Sequence, residues 1–296
     1  MRFSIWPSAA QSWSDVLEVV RHAETTGWDR AYVADHFMGN GETADDESLS
    51  PMLEGTAALA ALAGATERIG LASLVFGVTY RHPAVLAKWA ATVDHVSGGR
   101  FVLGLGAGWQ LNEHTQYHIE LGPPGARIDR LVEALAALRG LLSERETTFD
   151  GEYFQLTRAL AEPKPVQSRL PVLIGGKGDR MLGVVARHAD EWNMWSVPET
   201  IAERRQALGR ACERVGRDPA TIATSTQALW FIDRDAPESA GPPAIGGSLD
   251  RLGEYVAAWR DAGVDEVIVP DFTLGSGAAR IEAMDAVVER LAPAFR

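Results

Sequence analysis

The sequence of 296 residues is poor in cysteine and in lysine. Cys212 is the single cysteine, so the chain has no disulfide framework and no cysteine metal site, and we expect a protein of the reducing cytoplasm. Lysine occurs only at Lys88, Lys164 and Lys177. The lysine at position 177 is notable because it lies in a glycine-rich turn.

Long apolar runs and a leader pattern are also missing. No apolar run reaches the roughly 18 residues that span a bilayer, and the N-terminus enters a strand-like segment without a basic-then-apolar signal. The formal net charge of −12 argues against nucleic acid or an anionic membrane as the main partner. We therefore expect a small molecule as the partner.

Several catalytic signatures are absent as well. No Ser-x-x-Lys, Gly-x-Ser-x-Gly or P-loop pattern occurs, so acyl transfer and nucleotide hydrolysis have no support. His114 and His118 are spaced as zinc ligands on a helix, but the zinc motif is His-Glu-x-x-His, and here Glu113 precedes His114. The sequence thus predicts no metal site.

Short apolar runs alternate with amphipathic segments along the whole chain, at the spacing of βαβ units. Eight such units predict a (β/α)8 TIM barrel with loop insertions, forming a single domain over residues 1–296. A doubly wound open sheet is the alternative. The predicted strands are 2–6, 30–34, 68–76, 101–105, 171–174, 190–195, 222–232 and 266–270, with a peripheral hairpin at 148–156. The predicted helices are 13–26, 51–65, 83–96, 127–142, 198–215, 248–262 and 277–292, with one more ending near residue 188.

The stretch 100–113 organises this pattern, because its apolar strand breaks into Gly104, Gly106 and Gly108 and then into a polar cluster. Glycines at the carboxyl end of a parallel strand let a ligand or another backbone come close. A dinucleotide fingerprint needs a further glycine where the chain has Trp109. The glycines could also be turn residues that meet no ligand.

Asp35 and His36 follow the second predicted strand, on the face where barrel chemistry occurs. Such a histidine can give or take a proton near neutral pH, tuned by the neighbouring carboxylate. The alternative is a capping aspartate beside a packed histidine. In the third strand, Ser73 either bonds a neighbouring carbonyl group or marks irregular backbone beside a ligand.

The turn Gly175, Gly176, Lys177, Gly178 precedes a helix. Backbone amides at a helix start can bind an anion such as phosphate, and Lys177 with Arg180 would add positive charge. A flexible strand–helix turn is the alternative. Trp192, Asn193 and Trp195 after the sixth strand could floor a flat ligand or form a core cluster, and Arg81 and His82 could fix a loop.

Taken together, these segments resemble the bacterial luciferase-like monooxygenase superfamily. The resemblance spans residues 29–195 in the expected order, and the barrel count extends it over the whole chain. It is carried by Asp35-His36-Phe37, Arg81-His82-Pro83-Ala84, Ser97-Gly98-Gly99-Arg100-Phe101, Gly104 to Trp109, Asn112-Glu113, Pro163-Lys164-Pro165, Ile174-Gly175-Gly176 and Ala189 to Asn193.

The resemblance implies a (β/α)8 barrel that binds FMN or the deazaflavin coenzyme F420, and Asp-His-Phe is similar to the F420-using branch. It places Asp35 and His36 beside the deazaflavin ring, with His36 as the catalytic acid or proton donor. A non-proline cis peptide would fall at Ser73-Leu74 and buttress the ring. The remaining implied cofactor contacts are Ala107, Gly108 and Asn112, together with Gly175, Gly176, Lys177 and Gly178 at the phosphate-bearing tail.

One departure concerns the substrate. Relatives that oxidise glucose 6-phosphate with F420 carry a glutamate as proton acceptor where this chain has Trp109, so a more hydrophobic substrate is expected. The segments 38–50, 109–125, 235–247 and 271–277 would shape its pocket. An FMN-dependent monooxygenase with a partner reductase is the alternative function, and a non-catalytic barrel is the third. The family's habit of dimerising implies a homodimer by analogy.

Overall fold

The computed structural model describes residues 1–39 and 50–296. The acidic residues Asp45, Asp46 and Glu47 of the predicted loop 38–50 therefore lie outside the described residues. In the described part, strands and helices alternate as the sequence predicts. The strands are β1 (Arg2–Trp6), β2 (Arg30–Val33), β3 (Gly70–Ser73), β4 (Phe76–Gly77), β5 (Phe101–Gly106), β6 (Thr147–Asp150), β7 (Gln155–Ala159), β8 (Val172–Gly175), β9 (Glu191–Trp195), β10 (Ala223–Gln227), β11 (Leu229–Ile232), β12 (Ala244–Gly247) and β13 (Glu266–Pro270).

Helices cover the outside of the sheet, and their ends follow local signals. Ser12 caps the first helix by accepting a hydrogen bond from the amide of Asp15, and Gly27 ends it with a φ of 88°. Pro83 is the first residue of the third helix, as predicted. The helices are α1 (Trp13–Thr26), α2 (Gly55–Ala65), α3 (Pro83–Ser97), α4 (Leu111–Gln116), α5 (Pro124–Ser143), α6 (Asp179–His188), α7 (Pro198–Glu213), α8 (Leu249–Asp261) and α9 (Ala278–Asp285).

Within the described residues, eight parallel strand positions close into a barrel. The order around the barrel is β1, β2, β3 continued by β4, β5, β8, β9, β10 and β13, and β13 pairs with β1. Closure is completed by pairing of β3 with β5. The predicted (β/α)8 barrel is thus confirmed, and the open-sheet alternative is wrong because an open sheet would leave two unpaired edges.

The third barrel strand is interrupted, which the sequence prediction of one strand over 68–76 missed. The amide of Leu74 still donates to the carbonyl of Val33 at 2.8 Å, so pairing with β2 continues to that residue. The non-proline cis peptide lies between Leu74 and Val75, one residue later than the predicted Ser73-Leu74. Ser73 itself is fixed to β5, because its hydroxyl group donates to the carbonyl oxygen of Gly104 and accepts from the amide of Gly104. The cis peptide bond lies beyond Ser73.

Three other segments differ from their predictions. The strand predicted at 222–232 leaves the barrel after β10, and β11 pairs instead with β12, which lies inside the predicted loop 235–247. The stretch 109–125 contains α4 rather than being irregular throughout. The last α-helix ends at Asp285 and continues as a π-helical turn over Ala286–Leu291. The predicted peripheral hairpin is confirmed as β6 paired antiparallel with β7.

The barrel interior is closed at its amino end by a buried charged cluster. Arg30 donates to both oxygens of Glu191 at 2.7 and 3.1 Å, and Glu266 accepts from Ser4 and Tyr32. Above this cluster lies an inner apolar layer, so ligand access is left to the carboxyl end. The inner layer comprises Trp6, Tyr32, Ala34, Ala72, Leu74, Val102, Leu173 and Ile268.

In the described residues no helix is both long and apolar enough to cross a membrane.

Candidate active site at the carboxyl end of the barrel

The segments after β2, β4 and β5 meet at the carboxyl end of the barrel and bring together residues distant in sequence. Nδ1 of His36, just after β2, lies 3.0 Å from Oε1 of Glu113 on α4. The other oxygen, Oε2, accepts the backbone N–H of Phe37 at 2.9 Å. The carboxylate therefore fixes both the ring and the backbone around His36.

Tyr80 completes this arrangement: its hydroxyl group donates a hydrogen bond to Oε1 of Glu113. Burial raises the pKa of Glu113, but the hydrogen bonds from His36, Tyr80 and the amide of Phe37 outweigh it and hold that pKa below its usual value. Burial and the adjacent carboxylate raise the pKa of Tyr80, which stays a neutral donor. Glu113 is thus charged and only accepts hydrogen bonds.

His114 packs against the ring of Tyr80. Its Nδ1 lies 2.6 Å from the carbonyl oxygen of Gln110, which can only accept, so Nδ1 carries the proton. Its Nε2 then accepts from the hydroxyl of Thr79 at 2.8 Å. The imidazole stacks on the Tyr80 ring with centroids 4.6 Å apart. These bonds give His114 a structural role, and among the described residues no group of His, Cys, Asp and Glu is arranged to hold a metal ion.

Asp35 does not pair with its neighbour His36. Arg81 binds it through two hydrogen bonds of 2.7 and 2.8 Å, and the amide of Gly77 donates to it at 2.9 Å. Burial raises the pKa of Asp35 despite the Arg81 charge. Arg81 also binds Glu54, so the pair ties the segment after β4 to the start of α2. The expected pairing of Asp35 with His36 is corrected: Asp35 binds Arg81, and the carboxylate that contacts the His36 ring is that of Glu113.

The glycines around β5 receive a side chain of the chain itself. A Cβ at Gly106 would lie 2.7 Å from Val75, and one at Gly175 would lie 3.1 Å from it. Gly104 faces the carbonyl oxygen of Ser73, where a Cβ would clash. Val75 therefore rests on a glycine surface made by β5 and β8, with Leu74 in the inner apolar layer. The sequence analysis left a ligand or another backbone open as the neighbour of these glycines; at Gly104 the neighbour is the backbone of Ser73.

Asn112 is buried and only partly satisfied. Its amide nitrogen donates to the carbonyl oxygen of Gly39 at 3.0 Å, which fixes the orientation of the amide. Its Oδ1 is buried and has no hydrogen-bond partner among the described residues. Gly108 precedes it with a φ of 81°, and a Cβ there would lie 2.9 Å from Thr79 Oγ1. Ala107 is half-buried beside these glycines.

The turn after β8 presents the start of α6 at the same end of the barrel. Gly178 occupies the cap position, and no side chain caps the helix, so the first-turn amides have no intrahelical acceptor. Trp192 fixes the turn by donating Nε1–H to the carbonyl oxygen of Gly176 at 2.7 Å. Lys177 is exposed, whereas Arg180 pairs with Asp129 and leaves the turn. Of the groups in the predicted anion site, the backbone amides and Lys177 therefore remain at the turn, and Arg180 does not.

The residues Trp192, Asn193 and Trp195 lie on β9 and divide between different environments. Trp192 is fully buried among the helices, and Asn193 donates to Ser225 and Gln227 inside the barrel. Trp195 instead packs on Trp6 at the mouth, with ring centroids 5.6 Å apart. Of the three residues proposed to floor a flat ligand, Trp195 is the one placed at the mouth.

Sequence reasoning missed Glu113 and Tyr80 as partners of His36. Both lie at carboxyl ends of barrel strands in the sequence prediction, a position that could have suggested them. Comparison with known proteins identifies the family of the chain. The luciferase-like monooxygenase sequence profile matches residues 1–240. The chain belongs to the luciferase-like monooxygenase family.

Curated relatives extend the match in sequence. An uncharacterised protein of Mycobacterium bovis is 30% identical over 281 residues, covering 90% of this chain and 91% of the relative. The pyrimidine monooxygenase RutA of Stutzerimonas stutzeri is 32% identical over 206 residues, covering 67% of this chain and 56% of that protein. Family members are oxidoreductases and monooxygenases.

Solved structures share the barrel over the full length of this luciferase-like chain. An F420-dependent secondary alcohol dehydrogenase superposes with a TM-score of 0.84 at 20% identity, and each chain is covered completely. The coenzyme F420-dependent tetrahydromethanopterin reductase of Methanopyrus kandleri gives 0.84 at 18% identity, covering 100% of this chain and 99% of the other. Monooxygenase RslO1 of Streptomyces bottropensis gives 0.80 at 18%, with both chains covered completely. At these identities the likeness shows the fold.

Proposed function

We propose that this chain is an F420-dependent oxidoreductase that transfers a hydride between the deazaflavin and a small organic substrate. The observation that carries the proposal is the hydrogen bonding of the His36 ring. Its Nδ1 is bound to the charged Glu113, and its Nε2 has no partner among the described residues. Such a histidine is ready to give or take a proton at Nε2, while the carboxylate stabilises the protonated ring.

The remaining residues fit a flavin-like coenzyme. Oδ1 of Asn112 is a buried acceptor without a donor, which a ring N–H of the coenzyme would satisfy. The uncapped start of α6, with Lys177, suits the phosphate of its tail. When bound, F420 would supply the hydride acceptor or donor. Val75 would help to hold it at the carboxyl end of the barrel, and His36 would give or take the proton.

An FMN-dependent monooxygenase is the second candidate. The similarity to pyrimidine monooxygenase RutA, with 32% identity over 206 residues, favours it. Oxygen chemistry of this kind would need a separate reductase to supply reduced flavin. The same tail site and the same Asn112 acceptor would serve FMN, so the two candidates differ in the coenzyme and in the reaction rather than in the location of the site.

Binding of oxidised F420 and of FMN to the purified protein, followed by tryptophan quenching, separates the candidates. Tighter binding of F420 supports the proposal, and tighter binding of FMN supports the monooxygenase. His36→Asn should keep coenzyme binding and lose turnover. His118→Asn is its control because His118 is exposed at a φ of 53°, a conformation that asparagine tolerates. Full turnover in His36→Asn would overturn the role of His36.

The tail site has its own test. Gly176 is a poor target because its φ is 142° and a Cβ would lie 2.8 Å from Met181. At Gly178 a Cβ meets no atom within 4 Å, so Gly178→Leu covers the amides of α6 without strain. We expect at least about tenfold weaker coenzyme binding, since charge-assisted hydrogen bonds are lost. Gly209→Leu on α7, equally unobstructed at Cβ, should bind as the unchanged protein does. Equal binding by both variants would refute this tail site.

A further inference from the structure

A cavity lies at the opposite end of the barrel from His36. It has a volume of about 340 Å³ and lies between the carboxyl-terminal half of α5, the segment before β8 and the last turn of α6. Residues that precede parallel strands lie at the amino end of a barrel, so this cavity is separate from the coenzyme site at the carboxyl end. Its volume is within the range of small-ligand pockets.

The cavity is lined by several arginines, although the net charge of the whole chain is −12. Arg139, Arg169 and Arg187 line it from three different segments. Arg139 and Arg169 share one carboxylate, Asp190, whose oxygens also take the amide of Val172. Its two oxygens are therefore fully used, and one negative charge faces three positive charges.

Arg187 adds a cation with no acidic partner in the described part of the chain. Its guanidinium group donates a hydrogen bond to the carbonyl oxygen of Gly183, one turn earlier on α6. Burial and the positive charges of Arg187 and Arg139 lower the pKa of the neighbouring His188. The carboxyl end of α6 would repel an anion, but Arg139 covers that end by donating to the carbonyl oxygen of His188 at 3.2 Å.

We propose that this cavity binds a small phosphate-bearing anion through Arg169 and Arg187, with Arg139 holding the walls in place. The planar guanidinium group pairs with phosphate oxygens in a two-bond geometry. Ser168 lies exposed at the rim and offers a further hydroxyl donor. The proposal goes beyond the proposed function and stands whether the coenzyme is F420 or FMN.

Calorimetric titration of the full chain with inorganic phosphate, at constant ionic strength in chloride, tests the site. We expect binding to the unchanged protein and a loss of about tenfold in affinity for each of Arg169→Ala and Arg187→Ala. Arg139 is left intact because it holds two backbone carbonyl groups and Asp190. Arg290→Ala, exposed on the π-helical turn beside α8 and α9, is the matched control.

Two results would overturn the proposal. One is no heat of phosphate binding in the unchanged protein. The other is binding that persists in the double variant of Arg169 and Arg187 and disappears in Gly178→Leu, since the anion would then sit at the start of α6. A parallel titration with methyl phosphate identifies the ligand form. Tighter binding than inorganic phosphate assigns the site to a phosphate ester, and weaker binding assigns it to free phosphate; both support the site.

Discussion

Nδ1 of His36 lies 3.0 Å from Oε1 of the fully buried Glu113, although 77 positions separate the two residues in the chain. Hydrogen bonds hold the pKa of Glu113 below its ordinary value, so its carboxylate is charged and accepts. The proton between them therefore belongs to Nδ1 in neutral His36, and Nε2 is left as the acceptor. An anchored ring with one defined tautomer is what a proton-transfer residue requires.

Replacing Glu113 by glutamine should damage chemistry more than binding. The variant loses the charge that stabilises protonated His36, so we expect turnover to fall by about 100-fold while coenzyme affinity changes little. Nitrogen-15 NMR should show His36 protonated at Nδ1 in the unchanged protein and as a tautomer mixture in Glu113→Gln. Glu120→Gln, at an 82% exposed side chain, is the control. An unchanged tautomer and rate in Glu113→Gln would refute the role.

Tyr80 and Glu113 should act as one unit. The phenol of Tyr80 stays neutral because burial and Glu113 raise its pKa, and it donates to the carboxylate. Denaturant unfolding of Tyr80→Phe, Glu113→Gln and the double variant should give a coupling energy of about 0.5–3 kcal/mol. Strictly additive losses would mean that the two groups do not interact in solution.

Asp35→Asn should destabilise the protein because the amide nitrogen of asparagine cannot accept the hydrogen bonds that Arg81 and the amide of Gly77 donate to the carboxylate. Asp35 is 1% exposed in its side chain and Arg81 is 15% exposed. We expect the free energy of unfolding to drop by about 1–3 kcal/mol, the cost of a buried donor left without an acceptor, although Arg81 keeps Glu54 as a partner. Asp129→Asn breaks a pair that is half exposed and should cost at most about 1 kcal/mol. Equal losses in urea unfolding would contradict this difference.

Glu266 should make stability depend on acid. Burial raises its pKa, but Arg30, Arg2, Ser4 and Tyr32 outweigh that effect and lower it. A lowered folded-state pKa contributes stability that is complete above the unfolded value of roughly 4.3 and is lost as pH falls through the folded value.

Urea unfolding between pH 7 and pH 3 measures this contribution. The free energy of unfolding should decline as pH drops below about 5, and Glu266→Gln should flatten the decline from a lower starting value. Asp35 and Asp271, whose pKa burial raises, act with the opposite sign, so the variant is needed to isolate Glu266. Glu254→Gln, at a 65% exposed side chain, should leave the curve unchanged. A curve for Glu266→Gln parallel to that of the unchanged protein would exclude the effect.

Gly104→Ala should strain the junction of β3 and β5. A Cβ at this position clashes with the backbone carbonyl oxygen of Ser73, which cannot move without breaking strand pairing. We expect a loss of at least about 2 kcal/mol in the free energy of unfolding. Gly209→Ala in the interior of α7 should instead gain about 0.5–1 kcal/mol. A neutral Gly104→Ala would show that β3 can shift.

Local signals in the sequence predicted much of the fold. Alternating apolar runs and amphipathic segments identify the barrel strands, and Gly27 and Pro83 mark helix ends. These signals depend on residues within a few positions of each other, so they survive without knowledge of the tertiary structure. The split of the strand predicted at 222–232 was not readable, because β11 pairs with β12 rather than continuing in the barrel.

The candidate site likewise has features that the sequence predicted and contacts that only the tertiary structure shows. The sequence by itself determined that His36, Asn112 and the turn 175–178 follow barrel strands, and parallel strands deliver such residues to one end. Only the tertiary structure decided their partners: Glu113 for His36, Arg81 for Asp35, and Val75 on the glycines of β5 and β8. Barrel closure sets these contacts between distant segments, and side-chain geometry selects among several nearby carboxylates. Local sequence patterns carry neither kind of information.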